Sequence, residues 1–298
     1  MENLVDLFVK KIIEKDELQK KYIENRDFST QEKEEFHNVL KFFTEVYDGT
    51  GYDMDYIVDA YLFINNMVYE ETYYFMVNGK YRNSTFKEVD AIVYNCKEYM
   101  EKHMIGLTIS DYMWTNHIKM IRYFVNNLEM FQGDKYLEIG PGFGQYLIKA
   151  VLKGQFKEYF ACDISPTSVK GSNQYLQYMN VADRCTVKCK DFFQYDSDEK
   201  FDCIVMGEVL EHVEQPLMML QKIYDLLSES GNAFITTVIN APTIDHIFLF
   251  RTIEEVLGLM RKAKFYVVDY HCSTAGDIPL EKAVKKKAAI TIAMILKK

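Results

Sequence analysis

The segment Tyr136-Leu-Glu-Ile-Gly-Pro-Gly-Phe-Gly144 constrains the fold more than any other part of the chain. An apolar run of strand character empties into three glycines at alternate positions, and a helical stretch follows from about Gln145. Glycines at such a junction let the backbone turn sharply and approach a ligand closely. A dinucleotide fingerprint asks for glycine or alanine at position 145, where this chain has Gln145, and no Gly-Lys-Ser/Thr follows for a triphosphate. The loop therefore suits a nucleoside ligand without a pyrophosphate.

Beyond this loop, short apolar runs alternate with stretches able to hold helices. The runs are 135–139, 158–163, 185–190, 201–206 and 233–239, followed by 265–271 and 288–296. The first five have the rhythm of a parallel sheet wrapped by helices. The last two are joined by a longer loop and can pair antiparallel at one edge. Ligands in open sheets of this kind bind at the carboxyl ends of strands. Asp163 ends the second run, where a carboxylate can accept from both hydroxyls of a ribose, and Ile164 can cover one face of a base. Asp191 follows the third run and can accept from an adenine amino group, with Phe192 beside the ring. Taken singly, each acid reads equally well as a helix cap or a solvated loop end.

The N-terminal third is different. All five prolines lie after residue 140, and residues 1–110 hold four glycines. A long stretch without breakers predicts helices. Phe36, Leu40, Phe43 and Tyr47 step by three and four, as do Phe86, Val89, Val93, Cys96 and Met100. Ser29 or Thr30 is placed to cap a helix starting near Gln31. The stretch from Asp55 to Val77 is apolar on nearly every face and predicts a helix buried in the middle of a bundle. Nine of the 22 tyrosines lie between Tyr52 and Tyr99. Most read as core aromatics, although a tyrosine's apolar ring and polar tip also suit a pocket wall.

Charge and composition narrow the function. The 298 residues carry a formal net charge of −9, and residues 1–110 alone, with 13 basic and 21 acidic side chains, carry −8. Phosphate binding needs clustered positive charge, so the chain is a poor candidate for a general nucleic-acid binder and no nucleic-acid partner is expected. No apolar run approaches the roughly 20 residues that span a bilayer. The start, Met1-Glu2-Asn3, has neither the basic nor the apolar region of a secretory signal. Six cysteines with no C-x-x-C pair read as buried thiols of a reducing compartment, and the expected location is the cytoplasm.

Across roughly residues 110–298 the chain resembles the class I S-adenosylmethionine (SAM)-dependent methyltransferases, in the small-molecule branch of the ubiquinone-biosynthesis O-methyltransferases. The residues that carry the likeness are Leu137-Glu-Ile-Gly-Pro-Gly-Phe-Gly144, Asp163, Lys190-Asp-Phe192, Phe201-Asp-Cys-Ile-Val-Met-Gly-Glu-Val-Leu-Glu-His-Val213 and the stretch 250–265. Lys264 stands where that branch usually has glycine. The resemblance implies a Rossmann-like seven-stranded α/β domain at 109–298; it does not reach residues 1–108, which read from their own pattern as an α-helical domain. It implies SAM as donor and S-adenosyl-L-homocysteine (SAH) as product. It implies cofactor-binding roles for Glu138, Gly140, Gly142, Gly144, Asp163, Ile164, Asp191, Phe192 and Glu208. The segment before the glycine loop often closes over the methionine end of SAM in this family, which makes Tyr112 or Trp114 a candidate; core packing is the plainer reading of Trp114, and a solvent or loop role that of His117.

Methyl transfer from a sulfonium is an in-line displacement that asks mainly for alignment and a dry site. A base is needed when the acceptor arrives protonated. His246 and His212 follow the fifth and fourth strands, and an imidazole of ordinary pKa there can take a proton at neutral pH; each also reads as a structural hydrogen-bonding residue. His246 is the favoured base. Glu208, Glu211, His212 and His246 also resemble the metal-binding set of small-RNA 2′-O-methyltransferases, but Glu208 is where the small-molecule branch contacts its cofactor, so no metal is expected. The expected function is SAM-dependent O-methylation of a small metabolite or a peptide in a biosynthetic tailoring pathway. The alternatives are N-methylation, metal-assisted RNA 2′-O-methylation and a non-catalytic scaffold. The helical domain is expected to act as a substrate platform, lid or homodimer contact, with its acidity favouring a neutral or cationic acceptor.

Overall fold

Strand, loop and helix alternate from Lys135 onward and produce a seven-stranded sheet in the order β3-β2-β1-β4-β5-β7-β6. The strands are β1 (Lys135–Ile139), β2 (Glu158–Asp163), β3 (Cys185–Cys189), β4 (Phe201–Met206), β5 (Leu227–Ile239), β6 (Tyr266–Thr274) and β7 (Ile290–Lys297). The first five run parallel, and β7 lies antiparallel between β5 and β6. This is the expected architecture; β5 begins six residues earlier than its apolar run and β6 ends three later. The computed structural model describes residues 3–24, 26, 28–94 and 96–298. Met1 and Glu2, at the acidic start of the chain, lie outside the described residues.

The central strands are buried on both faces, so their sequences are apolar without strict alternation. One apolar core lies under the helices on one face and includes Leu220, Ile223, Val256 and Met260. The other face carries a core that runs without interruption into the N-terminal helices, joining Phe43, Tyr47 and Ile105 to Phe143, Leu147 and Tyr175. Residues 108 and 109 both lie inside the helix Lys97–Met113.

Ser29 caps the helix Thr30–Glu45 in a reciprocal capping box with Glu32, as its sequence predicts. Two other expectations change. The helix Met54–Asn78 is buried over its first half, where Ile57, Val58, Tyr61 and Ile64 face the core. Its second half leaves the bundle, and Tyr73 and Met76 are 73% and 78% exposed. The apolar steps from Phe86 to Met100 do not form one helix. A short helix Phe86–Val89 passes into a π-helical turn, Asp90–Tyr94, and Cys96 is extended before Lys97–Met113 begins. This break turns Tyr94 toward the sheet's functional edge, where its hydroxyl lies 3.4 Å from His212 Nδ1.

Gly106 permits the closest crossing in the helical layer. A Cβ there would lie 2.4 Å from the carbonyl oxygen of Ala60 and from Ile64 Cγ1. The tight approach of Lys97–Met113 to Met54–Asn78 builds a wall opposite the strand tips. That wall is tied to the loops after β4 and β5: Asn83 donates to the Ile244 carbonyl (2.7 Å) and the Phe86 amide to Glu214 Oε1 (2.8 Å).

Candidate active site

The tips of β1 to β4 and the helical wall enclose one chamber of about 1060 Å³. That is at the upper end of small-molecule pockets and leaves room for two ligands side by side. At its floor, Gly140 (φ 65°) and Gly142 (φ 57°) are in the left-handed region. A side chain at 140 would meet Val209 Cγ2 at 2.5 Å, so strain and space both select glycine there; at 142, where it would meet only the flexible Met104 Cε at 2.9 Å, the backbone strain selects it.

Asp163 closes β2 with a buried carboxylate. Its Oδ1 accepts from the Ser165 amide (2.8 Å) and its Oδ2 from the Gly142 amide (3.3 Å). Burial pushes its pKa up to about 6, against the pull of those two amides. Ile164 is 44% exposed beside it, into the same chamber. Asp191 accepts from the Phe193 amide (2.8 Å) and so caps the short turn after β3, while still lining the chamber. Phe192 and Glu138 also line it. Glu138 Oε2 accepts from the Tyr136 hydroxyl (2.6 Å), and burial pushes its pKa up to about 8.

Four polar side chains from three segments converge on the opposite side. Asp245 Oδ2 lies 3.5 Å from His212 Nδ1 and 3.7 Å from His103 Nε2. Burial raises its pKa, but the charges of His212, His103 and His246 outweigh burial and hold it below the usual carboxylate range. His212 Nδ1 also donates to the Asp245 carbonyl (3.0 Å), and His246 Nδ1 to the Ala241 carbonyl (2.6 Å). In both rings the tautomer is thereby fixed, with the Nε2 lone pair free. The rings stand edge to face with centroids 4.8 Å apart. Burial, then the proximity of His212, pulls the His246 pKa down to about 3, so it is not the imidazole of ordinary basicity that the sequence suggests. Behind them Glu211 is fully buried; its Oε2 accepts from Thr237 (2.7 Å), and its Oε1 has no hydrogen-bond partner among the described residues. Glu208, by contrast, is secured by Thr236, whose hydroxyl donates to Oε1 (2.6 Å).

Tyr112 does not line the chamber. It is buried, stacks on Phe36 and donates to Gln145 Oε1 (2.8 Å), because its position on the Lys97–Met113 helix faces the bundle. Gly144 lies behind the turn, as the cap of the helix Gln145–Lys153. Trp114 does line the chamber, with its indole N–H on Asn65 Oδ1 (3.0 Å). Sequence reasoning passed over His103, Asp111 and Asp245 and gave His117 a solvent or loop role; His117 instead sits in the first turn of the helix Thr115–Asn126 and lines the chamber. His117 Nδ1 is 3.3 Å from Asp111 Oδ1 and 3.1 Å from Ser110 Oγ. Asp111 and His117 are six residues apart across the junction of two helices, a spacing with no periodic signal to mark it.

The family model for a methyltransferase domain matches residues 115–270, more than half of the chain. The chain belongs to the class I SAM-dependent methyltransferases. Among curated relatives, the ubiquinone biosynthesis O-methyltransferase of Glaesserella parasuis serovar 5 (strain SH0165) is 29% identical over 135 residues. That match spans 44% of this chain and 56% of the relative, little more than half its length. Among solved structures, the mitomycin 7-O-methyltransferase MmcR aligns with a TM-score of 0.57 at 12% identity, over 83% of this chain and 71% of its own. The N-methyltransferase NodS from Bradyrhizobium japonicum WM9, in complex with SAH, aligns with a TM-score of 0.53 at 17% identity, over 69% of this chain and 97% of its own. Both structural likenesses concern the fold. The family uses SAM, and the residues present in this methyltransferase fit it: a glycine cradle that a Cβ would fill, a buried carboxylate at the β2 tip held by two backbone amides, and Ile164 and Phe192 as apolar flanks.

Proposed function

We propose that this methyltransferase methylates an oxygen of a neutral or cationic small molecule, in a biosynthetic tailoring step. Residues 1–108 form the acceptor-side layer. The observation that carries this reading is the single chamber: nucleoside-type groups at the β1 to β3 tips share it with an aromatic and methionine-rich helical wall and a histidine cluster. Asp163 would accept from the ribose hydroxyls, Asp191 and Phe192 would hold the adenine, and Ile164 would cover its other side. SAM, when bound, supplies an already activated methyl group, so the chain's own task is alignment, exclusion of water and removal of a proton.

For the proton, the geometry favours His212 over His246. Asp245 stands beside His212 Nδ1, an arrangement that orients the ring and leaves its Nε2 lone pair free to take a proton. His246 faces the fully buried Glu211, and its low pKa makes it a weak acceptor. The acidic chamber supports an acceptor without negative charge, because an anion there would meet Asp163, Asp191, Glu208 and Asp245. Mass spectrometry after incubation with SAM and a panel of phenols, alcohols, carboxylic acids and amines tests the reading. Methylation confined to hydroxyl-bearing, non-anionic acceptors supports it; methylation of amines alone overturns it.

One observation favours a second reading. Glu211, His212 and His246 each offer a ligand atom, all within 4.8 Å of one another, and Glu211 Oε1 is buried without a hydrogen-bond partner among the described residues. Each imidazole donates its Nδ1–H to a carbonyl, the support that metal-ligating histidines commonly receive. A divalent cation there would polarise the acceptor oxygen and replace a protein base. Glu208, spent on Thr236, would stand outside this set. Calorimetric titration with zinc or magnesium decides between the readings, since a proton-accepting cluster predicts no saturable site.

A further inference from the structure

The order of the strands fixes the direction in which the donor must lie. With the base held at the β3 tip and the ribose at β2, the 5′ substituent runs back across β1 toward β4. In a SAM-type donor that substituent ends in an amino acid, with one ammonium and one carboxylate. The carboxylate is an anion entering a chamber lined by Asp111, Asp163, Asp191, Glu208 and Asp245. The one lysine among its described lining residues, Lys190, sits beyond β3 at the opposite end. His103, His212 and His246 are gathered round Asp245. A cation is needed near Glu208, which follows β4, and His117 lines the same chamber within range of that carboxylate's charge.

We infer that His117, held by Ser110 and Asp111, receives the carboxylate of the donor's amino-acid end, while Glu208 across from it faces the ammonium. The Ser110 hydroxyl donates to the Leu107 carbonyl (2.7 Å), so its oxygen can only accept from His117 Nδ1–H. Nδ1 is thereby the inner donor, and Nε2 is the nitrogen left for a ligand. Trp114, edge-on to the imidazole at 4.9 Å, holds the ring plane. Burial pulls the His117 pKa down, but the hydrogen bond and charge of Asp111, with Glu208 behind, outweigh burial and raise it. His103 and His246 move in the opposite direction. This inference rests on the chamber being the SAM site.

The test is a cycle of two ligands and two proteins, read by calorimetry on the full chain without acceptor. The ligands are SAH and its decarboxylated analogue, which keeps the amine and loses the carboxylate. The wild type should prefer SAH about tenfold or more, the worth of a charge-assisted hydrogen bond. In His117→Gln, which keeps the size of the side chain and removes its charge, SAH should fall to the level of the analogue, with the analogue's own affinity unchanged. Asp111→Asn should reduce the preference in the same direction and serves if His117→Gln does not fold. An undiminished preference in either folded variant, or an equal loss for both ligands, overturns the inference. So does a loss of turnover with SAH affinity intact, which would make His117 a proton-handling residue. Wild-type protein that binds neither ligand would instead overturn the SAM reading beneath it.

Discussion

The carboxylate of Asp163, at the tip of β2, accepts a hydrogen bond from the backbone amide of Gly142, 21 residues earlier in the glycine loop. The strand tip and the loop are thereby locked into one surface before any ligand arrives. Replacing Asp163 with alanine should weaken SAH binding about 30-fold or more, the loss of hydrogen bonds to a buried charge. Because burial raises this pKa to about 6, the ionised acceptor is lost as pH falls through 6. Wild-type affinity for SAH should therefore decline between pH 7.5 and 5, and calorimetry across that range checks it.

Glu138 links stability to pH in the other direction from an ordinary paired carboxylate. Its pKa rises from 4.5 to about 8 through burial. Between those values the unfolded chain has released this proton and the folded chain retains it. Stability therefore falls as pH rises from about 4.5 and has lost this contribution fully above about 8. Glu208 and Glu211 are shifted upward by burial as well and add to the slope. Glu138→Gln should leave stability at pH 5 nearly unchanged and raise it at pH 8.5 by a few kcal/mol. Denaturant titrations at the two pH values measure the difference.

His212 and His246 should separate in kinetics. If His212 takes the proton, His212→Gln should lower kcat about 100-fold or more, while His246→Gln costs about tenfold through lost packing and orientation. SAH affinity should stay within about twofold in both. Equal losses, or a larger loss at His246, would favour the shared metal set over a single base.

Gly106 tests the helical wall. Alanine in a helix ordinarily gains about 1 kcal/mol over glycine. Here the added methyl group would press on the Ala60 carbonyl, a backbone atom that cannot rotate away. Gly106→Ala should therefore destabilise by about 1–3 kcal/mol, as overpacking does, and thermal unfolding reads it directly.

The sheet and the glycine turn after its first strand were legible because each rests on local chemistry. A strand emptying into Gly140 and Gly142, and acids at the ends of β2 and β3, leave marks within a few residues of one another. The acceptor half is built from residues far apart in the chain. His103 and Asp245 meet across 142 positions, and neither lies in a motif. His117 reads as a solvent or loop residue because its partner Asp111 sits on the preceding helix, at a spacing that marks no shared face. Tyr112 was misplaced for a related reason: proximity to the glycine loop does not say which face of a helix turns toward it. The helix Met54–Asn78 reads as buried throughout because composition cannot show where a bundle stops.

Titration of the purified chain with SAH in a calorimeter tests the central claim most directly. The account predicts saturable one-to-one binding that Asp163→Ala weakens without unfolding the protein. No binding by folded wild-type protein, or binding that Asp163→Ala leaves untouched, would contradict it.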